Sequence, residues 1–130
     1  MRVARIPPAE DQLTREIIGA AIEVHRVLGI GLYESAYEAC LVHELGLRGF
    51  DVRRQVEQPL TYKGADLKAG YRIDLIVNHE VIVEVKAVEH LHPICSAQIL
   101  TYMRLSSIPV GLLCNFHVEL MKDGIRRFVL

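Results

Sequence analysis

The sequence predicts an α/β fold in which a mixed β-sheet is flanked by helices, and three observations carry that prediction. Apolar residues recur at helical spacing up to about residue 45, switch to strand spacing from Phe50 to Val88, then return to helix and finally strand spacing. Two β-branched runs, Tyr71 to Val77 and Val81 to Val88, are separated only by Asn78-His79-Glu80, a polar loop of hairpin length. At 130 residues, 51% hydrophobic and without Trp, the chain has the size and composition of one aliphatic-cored domain spanning 1–130.

The elements follow in order. After Pro7 and Pro8, acids Glu10 and Asp11 suit the positive end of a helix dipole, and the stripe Leu13, Ile17, Ala20, Ala21, Val24, Leu28 is helical until Gly29 and Gly31 stop it. A second helical stripe, Ala36, Tyr37, Cys40, Leu41 and Leu45, ends near Gly46 or Gly49. From Phe50 the period changes toward two through Val52 and Val56, breaks at Pro59 and resumes at Leu60 and Tyr62, with a turn at Lys63-Gly64, which reads as a hairpin. The β-branched runs supply the central strands. Pro93 opens a helix with the stripe Ala97, Leu100, Thr101, Leu105, and strands at Val110 to Leu113 and Arg126 to Leu130 close the chain around a turn at Asp123-Gly124. The expected order is α, α, β, β, β, β, α, β, β, without internal repeats or linkers.

Charge and cysteine content narrow the function classes. A net charge of -1 and a pI near 6.6 imply no broad basic face for nucleic acid, although 11 of the 15 cations are Arg, the side chain suited to bidentate phosphate contacts. Aromatic content of 6% leaves little material for base-stacking platforms. Cys40, Cys95 and Cys114 are odd in number and lack metal-ligand spacing, so they read as reduced core thiols. With no long apolar span and no apolar signal region, the expectation is a cytoplasmic protein that makes no membrane contact.

Three charges sit where charge is costly. Asp74 lies inside Arg72-Ile73-Asp74-Leu75-Ile76-Val77, and Glu84 and Lys86 lie inside Val81-Ile82-Val83-Glu84-Val85-Lys86-Ala87. An ionised group in such a strand costs several kcal/mol, on the order of 3–5, unless paired or bound to a cation. Alternation puts Ile82, Glu84 and Lys86 on one face, and a three-residue loop places Asp74 opposite Glu84 with Cα atoms about 5 Å apart. Two such carboxylates make a hard-cation site for Mg²⁺ or Mn²⁺. A two-residue loop would remove the argument, and an ion pair of Lys86 with either acid accounts for the charges equally well.

The residues around this site carry a resemblance. Gly70-Tyr71-Arg72-Ile73-Asp74 followed by Glu84-Val85-Lys86 resembles the D…(D/E)xK signature of the PD-(D/E)XK nuclease superfamily. Upstream, Gly31-Leu32-Tyr33-Glu34-Ser35-Ala36-Tyr37 resembles the GxxExxY sequence that names a family of small prokaryotic proteins assigned to that superfamily. Downstream, Gln98-Ile99-Leu100-Thr101-Tyr102 is similar to the QxxxY motif of RecB-like nucleases. The element order agrees with a restriction-endonuclease-like core.

The resemblance implies Mg²⁺- or Mn²⁺-dependent hydrolysis of a phosphodiester in nucleic acid, DNA in the first instance. Asp74, Glu84 and the Val85 carbonyl would bind the metal, and Lys86 would hold and help deprotonate the attacking water. Glu34, in the first turn of its helix, would be a further acid reaching the metal or its water; the helix dipole alone also favours an acid there. Gln98 and Tyr102, four apart on one helix face, would contact metal-side water or a substrate phosphate, with Tyr102 as plain core the competing reading. Tyr37 would pack under Glu34 and position it. His25 matches an upstream metal-binding His of some RecB-like nucleases, against a purely structural role for a lone helical His. His90 and His92 flank the site with no spacing that selects them, and Cys95 stands where the family often has His.

Two functional readings follow from different classes. One is a metal-dependent nuclease carried by Glu34, Asp74, Glu84 and Lys86. The other is a catalytically inactive nuclease-fold module for nucleic-acid or protein interaction, suggested by the near-neutral charge and the short chain, with a homodimer or partner protein supplying binding surface.

Overall fold

In a computed structural model, residues 8–130 are described, with side chains from residue 12 onward. The acidic opening turn at Glu10 and Asp11, and Pro7 before it, lie outside the described residues and side chains. Helix α1 (Pro8–Leu28) and helix α2 (Glu34–Leu47) precede strand β1 (Val52–Glu57), the short strands β2 (Leu60–Tyr62) and β3 (Ala65–Leu67), and the central strands β4 (Arg72–Val77) and β5 (Val81–Lys86). Helix α3 (Ile94–Ser106), strand β6 (Val110–Asn115), a 3-10 turn (Met121–Gly124) and strand β7 (Ile125–Val129) complete the chain. None of the described helices is long and apolar enough to cross a membrane.

Five strands form a mixed sheet in the order β1-β4-β5-β6-β7, with β5 and β6 parallel and the other neighbours antiparallel. The parallel pair needs a crossover, and α3 supplies it. Helices α1 and α2 pack on one face through Leu13, Ile17, Tyr37 and Leu41 against Leu75, Val83, Val85 and Leu112. On the other face α3 packs Ile99, Leu100, Tyr102 and Met103 against Ile73, Ile82 and Leu113.

Two expectations are corrected. The segment from Phe50 to Tyr62 is not one hairpin: β1 pairs with β4, and the Lys63-Gly64 turn instead joins β2 to an additional strand, β3, in a separate two-stranded ribbon. Both turn residues are left-handed, as a tight hairpin turn requires. Of the expected α3 stripe Ala97, Leu100, Thr101 and Leu105, only Leu100 is buried; Ile99, Tyr102 and Met103 complete the buried face. Gly111 on β6 explains the close seat of that face: a Cβ there would lie 2.7 Å from Met103 Sδ and 3.1 Å from Ile99 Cδ1.

Candidate metal and substrate site

The β4–β5 turn decides the register. Asn78 and His79 are both left-handed, Glu80 N–H donates to the Val77 carbonyl at 2.9 Å, and Asn78 clasps Asp51 through two hydrogen bonds of 2.8 Å. The loop is thereby three residues long, with Val77 opposite Val81 and Leu75 opposite Val83. One step further stands Asp74 across from Glu84, as the sequence argument required.

At that step the backbone ladder stops and the carboxylates take over. Asp74 N–H donates to Glu84 Oε2 at 2.8 Å, and Val85 N–H donates to Asp74 Oδ2 at 2.9 Å. Each acid thus caps an amide of the opposite strand where the strands diverge. The side-chain alternation of β4 also breaks here, since Ile73 joins Ile76 in the α3-side core while Leu75 and Val77 take the other face.

Burial disfavours the ionised form of both acids. Burial, and then the neighbouring charge of Asp74, push the Glu84 carboxyl from 4.5 to about 8; Glu84 is only 4% exposed. Burial likewise raises Asp74, opposed by the Val85 amide and reinforced by Glu38. Lys86 lowers both through its charge but makes no ion pair within 4.0 Å among the described residues. The structural ion-pair account of the three charges is therefore not what the fold builds. No group of three or more His, Cys, Asp or Glu that could hold a metal converges among the described residues.

The remaining sequence-selected residues divide into those brought to the pair and those held elsewhere. Glu34, exposed at the start of α2, accepts from Ala87 N–H at 3.4 Å, just beyond Lys86, without entering a three-acid cluster. Tyr102 is buried on α3, and burial, followed by the charges of Glu84 and Asp74, raises its phenol above the ordinary range. Gln98 faces the same phenol, and the two line a cavity of about 280 Å³ with Tyr71, Ile94, Ala97 and Thr101. Among the described residues, no charged side chain lines it.

His25 is not brought to the carboxylates. Its Nε2 bonds the Val118 carbonyl at 2.7 Å, tying α1 to the segment after β6. Tyr37 supports the site at a distance: it stacks on Phe116 with ring centroids 4.6 Å apart, donates to the Gly29 carbonyl at 2.6 Å and accepts from Leu32 N–H at 3.3 Å. It holds the turn that leads into Glu34 rather than packing under the acid alone. All three cysteines are free, and burial pushes the Cys114 thiol to about 12, leaving it inert.

Sequence reasoning missed three residues beside Asp74. Glu38 on α2 is 6% exposed; its Oε2 accepts from Arg54 Nε at 2.6 Å and its Oε1 from Gln55 Nε2 at 2.8 Å. Gln55 Nε2 also reaches Asp74 Oδ1 at 3.4 Å. The available signal was an acid four residues after Glu34, hence on the same helix face, directly beside the core residue Tyr37.

No curated protein and no solved structure matched the chain at the significance required. A sequence model of the PD-(D/E)XK nuclease superfamily matches residues 11–128, nearly the whole chain and every residue of the site just described. With that match added to the mixed five-stranded sheet and the facing Asp74 and Glu84 carboxylates, the chain belongs to the PD-(D/E)XK nuclease superfamily.

Proposed function

We propose that this protein is a divalent-metal-dependent nuclease that hydrolyses phosphodiester bonds of DNA. Membership of the superfamily suggests a nuclease and hence a nucleic-acid substrate. The observation that carries the finer reading is the reciprocal capping of Asp74 and Glu84, which fixes two carboxylates side by side at a strand divergence while Lys86 makes no ion pair among the described residues.

The donor set fits a hard cation. One oxygen of each carboxylate is held by a backbone amide, which orients the other, and burial raises the titration of both acids, so that a bound cation would favour their charged forms. Asp74, Glu84 and the Val85 carbonyl would hold Mg²⁺ or Mn²⁺, both of which favour oxygen ligands. When bound, the ion supplies Lewis-acid charge for the phosphate and a more acidic water. Lys86 orients the attacking water and takes part in its deprotonation, and Glu34 holds a second water at the mouth of the site. Gln98 and Tyr102 contact the substrate, their uncharged cavity suiting the nucleoside beside the scissile phosphate better than the phosphate itself.

The test is incubation of the full chain with single- and double-stranded DNA and RNA in Mg²⁺, in Mn²⁺ and in EDTA, beside Lys86→Ala. Cleavage of DNA that needs the metal and falls about 10²- to 10⁴-fold in Lys86→Ala, with Mn²⁺ affinity retained, is the expected result. Cleavage that survives EDTA, or that Lys86→Ala leaves intact, removes the assignment.

A further inference from the structure

Gln55 occupies a backbone conformation that a glutamine does not choose for itself. It lies within β1, yet its φ is +51°, while Arg54 and Val56 on either side keep their ladder partners Leu75 and Ile73. Left-handed backbone disfavours any residue with a Cβ, and such strain persists where the surroundings over-determine it. Here the surroundings are two carboxylates. Gln55 stands across the sheet from Asp74 and sends one amide nitrogen to Glu38 Oε1 at 2.8 Å and to Asp74 Oδ1 at 3.4 Å.

The orientation of this amide follows from chemistry. Ionised carboxylates only accept, so the –NH₂ group with its two hydrogens must be the end that faces them. Glu38 is itself anchored, since Arg54 occupies its other oxygen at 2.6 Å. The chain of contacts therefore runs from Arg54 through Glu38 and Gln55 to Asp74. Without Gln55, the Oδ1 oxygen of Asp74 would face the Glu38 carboxylate with no donor between, and Asp74 would be held by the Val85 amide alone.

We infer that Gln55, keyed by Glu38 and Arg54, is a positioning residue that fixes the Asp74 carboxylate for cation binding. This rests on the cation-binding reading of the Asp74–Glu84 pair. Partners that orient a metal-binding side chain typically change affinity 10- to 100-fold, and the 3.4 Å contact places Gln55 near the lower limit, about tenfold.

Glycine at position 55 separates the backbone from the side chain, because it accepts φ near +51° without strain. Gln55→Gly and Gln55→Ala are to be compared with the unaltered full chain by Mn²⁺ titration calorimetry, by urea unfolding in EDTA, and by the ¹³C carboxyl resonance of Asp74 in the metal-free protein. The expected result is that both variants lose about tenfold in Mn²⁺ affinity. Gln55→Gly should be at least as stable as Gln55→Ala, and the Asp74 resonance should move in both. Mn²⁺ affinity within twofold of the unaltered chain in Gln55→Gly overturns the inference. If the unaltered chain itself fails to bind Mn²⁺, the cation-binding reading falls, and the Asp74 resonance still decides Gln55: an unmoved signal in both variants overturns its positioning role.

Discussion

Replacing Glu84 by Gln should stabilise the metal-free protein at alkaline pH and leave it nearly unchanged in acid. The buried Glu84 carboxyl, beside Asp74, titrates at about 8 rather than 4.5. Between those values the folded protein holds a proton that the unfolded chain has released, so unfolding free energy falls as pH rises through that window. Each unit of displacement is worth about 1.4 kcal/mol, which sets a ceiling of roughly 5 kcal/mol on the loss. Asp74 competes for the same proton and the strands can part slightly, so about 2 kcal/mol is the expected difference. Glutamine stays neutral throughout, and its amide oxygen can still accept from Asp74 N–H, as Glu84 Oε2 does at 2.8 Å. Urea unfolding followed by circular dichroism in EDTA, at pH 5 and pH 8.5, reads the effect. The variant should match the unaltered protein at the lower pH and exceed it by about 2 kcal/mol at the higher. An offset of equal size at both pH values would refute the reasoning, because the gain would then owe nothing to titration. Saturating Mn²⁺ at pH 8.5 should restore the unaltered protein by about 2.7 kcal/mol at a hundredfold excess over Kd, and should do little for the variant.

Two further substitutions probe the supports of the site. Tyr37→Phe keeps the stack on Phe116 but loses the hydrogen bonds to Gly29 and Leu32, so chemical unfolding should show a loss of about 1 kcal/mol, with cleavage reduced through the displaced Glu34 turn. Gly111→Ala drives a methyl against Met103 and Ile99, and a loss of about 1–3 kcal/mol is expected in the same assay, with Mn²⁺ affinity unchanged because α3 carries no metal ligand.

How much of this was legible in the chain varies from residue to residue. Asp74, Glu84 and Lys86 announced themselves because charge within β-branched runs is anomalous, and the Asn78-His79-Glu80 loop length correctly placed the two acids opposite each other. The stripe of α1 through Leu13, Ile17 and Val24 is buried as its spacing predicts. Phe50 to Tyr62 misled, since a run of strand residues broken by Pro59 looks like a hairpin whichever partner its first strand takes. For His25 the sequence left a metal-binding and a structural role open; the structure shows a ring nitrogen bonded to the carbonyl of Val118, 93 residues away, a partner that leaves no trace in local spacing.

The sequence by itself determined the α/β class, the order of its main helices and strands, and the chemical identity of the acid pair and the lysine beside it. Periodicity and misplaced charge are local properties, written within a few residues of one another. Only the tertiary structure decided that β1 lies against β4, that the β4–β5 ladder ends where the carboxylates cap opposing amides, and that Glu38, Arg54 and Gln55 stand behind Asp74. Those outcomes depend on which distant segments share the sheet and on where buried acids find donors. A left-handed glutamine in the middle of a strand has no signature in the chain until its two carboxylate partners are in place.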